Sequence, residues 1–144
     1  MSEQVQKDPM MQIEGFFKKN QKQVLTVIGV LVVIIGGWYA YQNFIVAPKE
    51  TEAQEAIWKA ESYFRKDSLK LALNGDKNSR GFLSIINNYG GTKAGNLAKY
   101  YAGCCYLRTG DFNSAIKYLS DFSTSAKPVQ MMAYGALGDA YSEL

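Results

Sequence analysis

Residues 24–46 read VLTVIGVLVVIIGGWYAYQNFIV, and no charged side chain occurs between Lys22 and Lys49. At about 1.5 Å of rise per residue, this run makes an α-helix of roughly 35 Å, enough for a hydrocarbon core of about 30 Å. Its many Val and Ile residues also suit a buried strand, but strands are usually far shorter. In lipid every backbone polar group must be satisfied within the segment, which selects a helix. The expectation is one membrane-spanning helix over residues 23–47, a short tail over 1–22, and a single domain over 48–144.

The flanks orient the span. Lys18, Lys19 and Lys22 precede it, and Glu50, Glu52 and Glu55 follow it. Lys and Arg near a span favour the cytoplasmic side, so the tail is expected inside and the domain outside. Trp38, Tyr39, Tyr41 and Phe44 crowd the outer end, where amphipathic rings sit well at the headgroup level. A cleaved signal peptide is the competing reading. Its apolar core would be shorter, and Gly-Gly-Trp-Tyr-Ala-Tyr is a poor cleavage site. In the tail, Met10, Ile13, Phe16 and Phe17 fall on one helical side, with Glu14, Lys18 and Lys22 on another. That pattern suits a short amphipathic segment in the membrane interface, with Phe16, Phe17, Lys18 and Lys19 as contacts there. Gly29 and Gly36, seven residues apart, share a face of the span and would allow close helix–helix approach.

The domain is nearly neutral, with 12 basic and 10 acidic residues from Lys49 onward. A nucleic-acid partner usually needs a concentrated basic face, and none is expected. Histidine is absent. That removes the commonest general base and metal ligand, along with every Ser-His or Cys-His pair. Cys104 and Cys105 are adjacent, point about 100° apart on a helix, and offer no zinc spacing; they read as buried packing residues. Glu52 with Glu55, and Asp111 with Asp121, fall on expected solvent faces and loops. Gly90-Gly91 lacks a phosphate-cradling motif. The chain is expected not to be an enzyme and to hold no cofactor or metal.

The spacing predicts an all-α domain. Pro48 should break or kink the helix near Ala47. A helix is expected over 50–73, opened by a capping box at Thr51 and Gln54. A loop over 74–79 follows, and then a helix capped by Ser79 that stops at Gly90-Gly91. Further helices are expected over 93–108 and 113–122, with a turn at Gly110-Asp111 between them. A last helix opens at Pro128. Ala98, Gly103 and Tyr106 match Ala133, Gly138 and Tyr141 at a spacing of 35. A period near 34 in helix–turn–helix form points to tetratricopeptide repeats, an α-solenoid. Ala102-Gly103, Tyr106, Gly110-Asp111-Phe112, Ala115, Leu119 and Pro128 resemble one such repeat, although Lys99 stands where that family prefers Trp. The final unit stops before a second helix, so the domain is expected to be incomplete at its C-terminus.

The layout as a whole carries a further resemblance. Phe16-Phe17-Lys18-Lys19-Asn20 leads into a glycine-bearing span, then Gly36-Gly37-Trp38-Tyr39 and helical repeats. This arrangement, with Phe82, Asn88-Tyr89-Gly90, Ala94, Leu97-Ala98 and Ala102, resembles the YfgM family of ancillary SecYEG translocon subunits. The resemblance implies a bacterial inner membrane, a periplasmic domain, and association with SecYEG and with a PpiD-like membrane-anchored chaperone. The function expected is a membrane-anchored interaction module that assists export or recruits a chaperone, in contact with lipid and with exported chains. An envelope scaffold unrelated to Sec is the alternative. In the repeat register the concave, partner-binding face would carry Tyr100, Cys104, Leu107, Arg108 and Asp139.

Overall fold

The structure, a computed structural model, describes residues 13, 15 and 18–144. Regular structure among them is helical throughout, with one isolated bridge between Gly75 and Arg80. The chain divides into two compact units, Met1–Asn43 and Phe44–Leu144. Within the first, Phe16, Phe17, Glu14 and residues 1–12 lie outside the described residues, so the amphipathic segment is seen only at Ile13, Gly15, Lys18 and Lys19, all exposed.

Helix α1, Gln21–Tyr41, contains no buried residue. Its large apolar side chains face outward all around, including Leu25, Val33 and Ile35. A helix apolar on every side, with nothing among the described residues packed on it, has no place in water unless something covers it. The helical run that contains it is the one run among the described residues that is long and apolar enough to cross a membrane.

Of the break or kink expected near Ala47, the break does not occur, and an irregular turn lies just before it. Residues Gln42–Val46 form a π-helical turn, and α2, Ala47–Arg65, begins directly with Pro48 in its first turn. Val46 before it is already helical, so Pro48 lies inside one continuous helical run, Gln21–Arg65, where proline removes a backbone donor. The wider turn before it relieves the clash of the proline ring with the carbonyl four residues back. With α2 already formed by residue 50, Thr51 does not cap it. Its hydroxyl donates to the Ala47 carbonyl at 3.2 Å, and the Gln54 amide donates to Glu50 at 3.4 Å.

The helix expected over 50–73 is two helices. α2 ends at Arg65 and α3 spans Leu69–Asn74. Between them Asp67 adopts φ 58°, a left-handed conformation. Asp67 N–H donates to the Phe64 carbonyl at 3.1 Å, and Ser68 N–H to the Tyr63 carbonyl at 3.0 Å. That pair of bonds is a Schellman motif, a helix stop usually built on glycine. Ser79 does not cap the next helix either. Its hydroxyl donates to Asp76 at 2.7 Å, and α4, Phe82–Tyr89, starts from Gly81.

Three helices complete the unit: α5, Lys93–Thr109; α6, Phe112–Ser120; and α7, Lys127–Ser142. The Thr92 hydroxyl caps α5 by accepting from Gly95 N–H at 2.9 Å. Gly110, at φ 82°, ends α5 with the same pair of Schellman bonds, and Asp111 at once caps α6 by accepting from Ser114 N–H. This tight reversal packs α6 antiparallel on α5, and Gly103 lets the backbones close up. A Cβ at Gly103 would lie 2.5 Å from Leu119 Cγ.

α5 is the middle of the unit and packs against α2, α3, α4, α6 and α7. Its buried side chains are small: Ala94, Ala98, Ala102 and Cys105. Bulk comes from the neighbours. Phe82 is fully buried and stacks on Tyr101 at 5.2 Å, with Phe64 edge-on to both. A second cluster joins Ala115, Leu119 and Ala140 to Tyr100, Cys104, Leu107 and Leu137.

Candidate functional site

A groove opens where the end of α5, the start of α6 and the end of α7 meet. Its lining residues are Leu107, Arg108, Gly110, Phe112, Asp139, Ser142 and Glu143, and its volume is about 570 Å³. The Gly110-Asp111 reversal described above shapes it. The left-handed turn at Gly110 brings Phe112 around beside Leu107, and α7 lays Asp139 and Glu143 along the opposite wall. The walls therefore combine apolar surface with one cation and two carboxylates. Such a surface can hold a peptide segment carrying apolar and basic side chains, with ionic contacts confined to the rim.

Arg108 is fixed from outside the groove. Its guanidinium donates to Asp67 Oδ1 at 2.6 Å and lies 5.4 Å over the Phe64 ring. Both ions are largely exposed, so the pair orients the side chain more than it stabilises the fold. The left-handed Asp67 thus has two effects: it ends α2 and it aims a carboxylate at Arg108.

Three of the five expected partner-face residues, Leu107, Arg108 and Asp139, line this groove. Tyr100 and Cys104 do not. They belong to the second cluster, which α5 shares with α6 and α7, and Tyr100 sits 5.5 Å from the ring of Phe122, just after α6. Burial, with Cys104 beside it, pushes the Tyr100 hydroxyl up to about 12. Burial likewise raises the Cys104 thiol and pushes Cys105 up to about 12. Both thiols are therefore protonated and poor nucleophiles at neutral pH. Helical periodicity placed Tyr100 and Cys104 on the right helix but could not say which face meets α7. Phe112, Ser142 and Glu143 were missed as groove residues, and Asp67 as the carboxylate that holds Arg108 from outside it. Phe112 directly follows the Gly110-Asp111 turn, which could have flagged it; Asp67 carries no such signal.

A smaller cleft of about 300 Å³ lies between α2 and the 75–81 loop, lined by Glu52, Lys59, Arg80 and Tyr89 among others. Two of its charged residues, Arg80 and Glu52, are linked through Tyr89. Arg80 stacks on Tyr89 and donates to its hydroxyl, which donates in turn to Glu52 at 3.0 Å. Among the described residues no group of three His, Cys, Asp or Glu side chains converges to hold a metal.

On α1, Gly29 opens a shallow apolar groove with Thr26, Val30, Val33 and Ile34. Gly36 lies outside this groove, and nothing approaches the space where its Cβ would be. Trp38 and Tyr39 are both exposed.

In comparisons with known proteins, no family model, no curated protein and no solved structure matches the chain.

Proposed function

We propose that the chain is a membrane-anchored, non-enzymatic interaction module whose helical domain offers the α5–α7 groove to a partner. The observation that carries this reading is the pairing of two features in one chain. One is a helix with no buried residue and an unbroken apolar surface; the other is a packed helical unit with an open, mixed-character groove. Anchoring restricts the module to two dimensions and raises its effective concentration toward partners in the same membrane. The tail lies in the cytoplasm and the domain outside it, as the lysines before the span and the glutamates after it favour.

We further propose tetratricopeptide-like repeats, with α5 and α6 as a complete unit and α7 as the first helix of another. The spacing of 35 and the Gly103–Leu119 contact support this reading. The partner proposed is the SecYEG translocon of a bacterial inner membrane, together with a PpiD-like chaperone, and the role is to assist export. This assignment rests on the resemblance of residues 16–20, 36–39 and 82–102 to the YfgM family.

The test is purification of the tagged full chain from membranes in mild detergent. SecY should accompany it, and replacing Leu107 and Phe112 with Ser should lower chaperone recovery several-fold while leaving the membrane fraction unchanged. A chain that resists carbonate extraction but brings no SecY would support an envelope scaffold instead. A chain released by carbonate would refute the anchor itself.

A further inference from the structure

Asn74 is the one asparagine in the sequence that is followed by glycine. Asparagine is a labile residue because the next peptide nitrogen can attack its side-chain carboxamide carbon. A glycine in the next position shields that nitrogen least, since it carries no side chain. In the folded chain both reacting groups are held. Asn74 Nδ2 donates to the Lys70 carbonyl at 3.1 Å, and Gly75 N–H donates to the Leu71 carbonyl at 2.8 Å. A nitrogen bonded into a helical turn in this way is neither free to lose its proton nor aimed at the side chain beside it.

The hold on these two groups is local. Asn74 is exposed, and α3 has six residues, too few to keep its own end in place. The loop after it does that. Asp76 accepts from the Tyr63 hydroxyl at 2.5 Å, from Asn78 N–H at 2.8 Å and from the Ser79 hydroxyl at 2.7 Å. The bridge between Gly75 and Arg80 closes the loop. The closure is tight: a Cβ at Gly75 would strike the Ser79 carbonyl, and one at Gly81 would strike the Gly75 nitrogen.

We propose that Asn74-Gly75 is a deamidation site gated by the 75–81 loop, and that its reaction irreversibly opens that loop. When the last turn of α3 frays, the Gly75 nitrogen bonds to Asn74 Cγ. The bond from Cγ to Nδ2 breaks, and ammonia leaves with the proton that the nitrogen has lost. One water then opens the succinimide, at one carbonyl to give aspartate and at the other to give an isoaspartyl link. The sum is one water consumed and one ammonia released, with no change of oxidation state. Either product places a new carboxylate at the negative end of α3, two residues before Asp76. The isoaspartyl link also lengthens the main chain by one methylene just before Gly75, where the backbones already touch. The Gly75–Arg80 bridge then separates, and the cleft lined by Asn78, Ser79 and Arg80 loses that wall. The site depends on neither the anchor nor the α5–α7 groove.

The experiment ages the full chain in dilute detergent at mildly alkaline pH, folded and in urea. Peptide mass spectrometry follows conversion at Asn74, and an isoaspartate-specific methyltransferase measures the rearranged product. Conversion in urea should be roughly tenfold faster than in the folded chain, or more, because only the open loop reacts. Asp76→Ala should raise the folded rate several-fold, and Tyr63→Phe, which removes one donor to Asp76, should move it the same way. All three chains should react alike in urea. Asn74→Gln should stay unconverted there, since its longer side chain closes a ring more slowly. The aged chain should exchange the amides of residues 75–81 faster than the fresh one. Equal rates folded and in urea would overturn the gate, as would a folded rate that neither loop variant changes. Conversion undiminished in Asn74→Gln would overturn the site, and unchanged exchange after ageing would overturn the opening.

Discussion

Gly103 and Gly138 hold equivalent places at the spacing of 35, yet substitution by alanine should have opposite signs at the two. In a helix interior, alanine is favoured over glycine by about 0.8–1 kcal/mol. At Gly138 nothing lies within 4 Å of the new Cβ, so Gly138→Ala should stabilise by nearly that full amount. At Gly103 the new Cβ would lie 2.5 Å from Leu119 Cγ, 2.9 Å from Leu119 Cδ2 and 3.2 Å from the Leu119 backbone nitrogen. Shifting the side chain alone cannot relieve the last of these, so α6 must move. Overpacking of this kind costs roughly 1–3 kcal/mol. Set against the propensity gain, Gly103→Ala should destabilise by about 1 kcal/mol, leaving the two variants about 2 kcal/mol apart. For a unit of this size that is a difference of roughly 8–16 °C in melting temperature. The assay is thermal and urea unfolding of the full chain in dilute detergent, followed by circular dichroism. Adding Leu119→Ala to Gly103→Ala should cost less than the sum of the two single changes, because the new methyl enters the space that Leu119 leaves. Equal stability of Gly103→Ala and Gly138→Ala would refute the close α5–α6 approach.

Three other outcomes follow from the geometry. Glu50 of α2 accepts from the N–H groups of Lys93 and Ala94 at 2.7 and 3.1 Å, placing a carboxylate on the first turn of α5; Glu50→Gln should lower stability by about 1 kcal/mol, read as a shift in urea midpoint. Burial raises the Cys105 thiol from 9.0 to about 12 and the Tyr100 hydroxyl from 10.0 to about 12. The folded state therefore holds these protons more tightly, so stability should be constant below pH 9 and fall between about pH 9 and 12, while both thiols resist maleimide at pH 7 until the domain unfolds. Asp76 accepts from Tyr63, Asn78 and Ser79, and these bonds hold its carboxyl well below its usual range; a depressed carboxyl loses its contribution as pH falls, so amide exchange in the 75–81 loop should speed up below about pH 4, and Asp76→Ala should show that faster exchange already at pH 7.

The apolar run over 24–46 and the α5–α6 reversal were both legible in the sequence, for the same reason. Each is written in residues with a single strong physical meaning: an uncharged stretch in one case, Gly110 followed by an Asp cap in the other. The stop at residues 66–68 was hidden because Asp67 takes a left-handed conformation that glycine usually signals. Thr51 and Ser79 look like caps by spacing, but the helix already runs on through Pro48, and Asp76 claims the Ser79 hydroxyl. Of the five residues expected on one face, Leu107, Arg108 and Asp139 line the groove. Tyr100 and Cys104 pack into the second cluster instead, because one helix of small residues has neighbours on every side, and periodicity marks a buried face without naming the neighbour.

That crowding around α5 has a consequence for how the domain comes apart. In a long solenoid each unit touches only the next, so an end can peel away while the rest holds, but a domain this short has no distant units. Here one rod of alanines touches every other helix of its unit, so α2 and α7 are joined through a shared support. Damage at either end should be felt at the other, and proteolysis should show an intact domain or small fragments, with no trimmed intermediate between them.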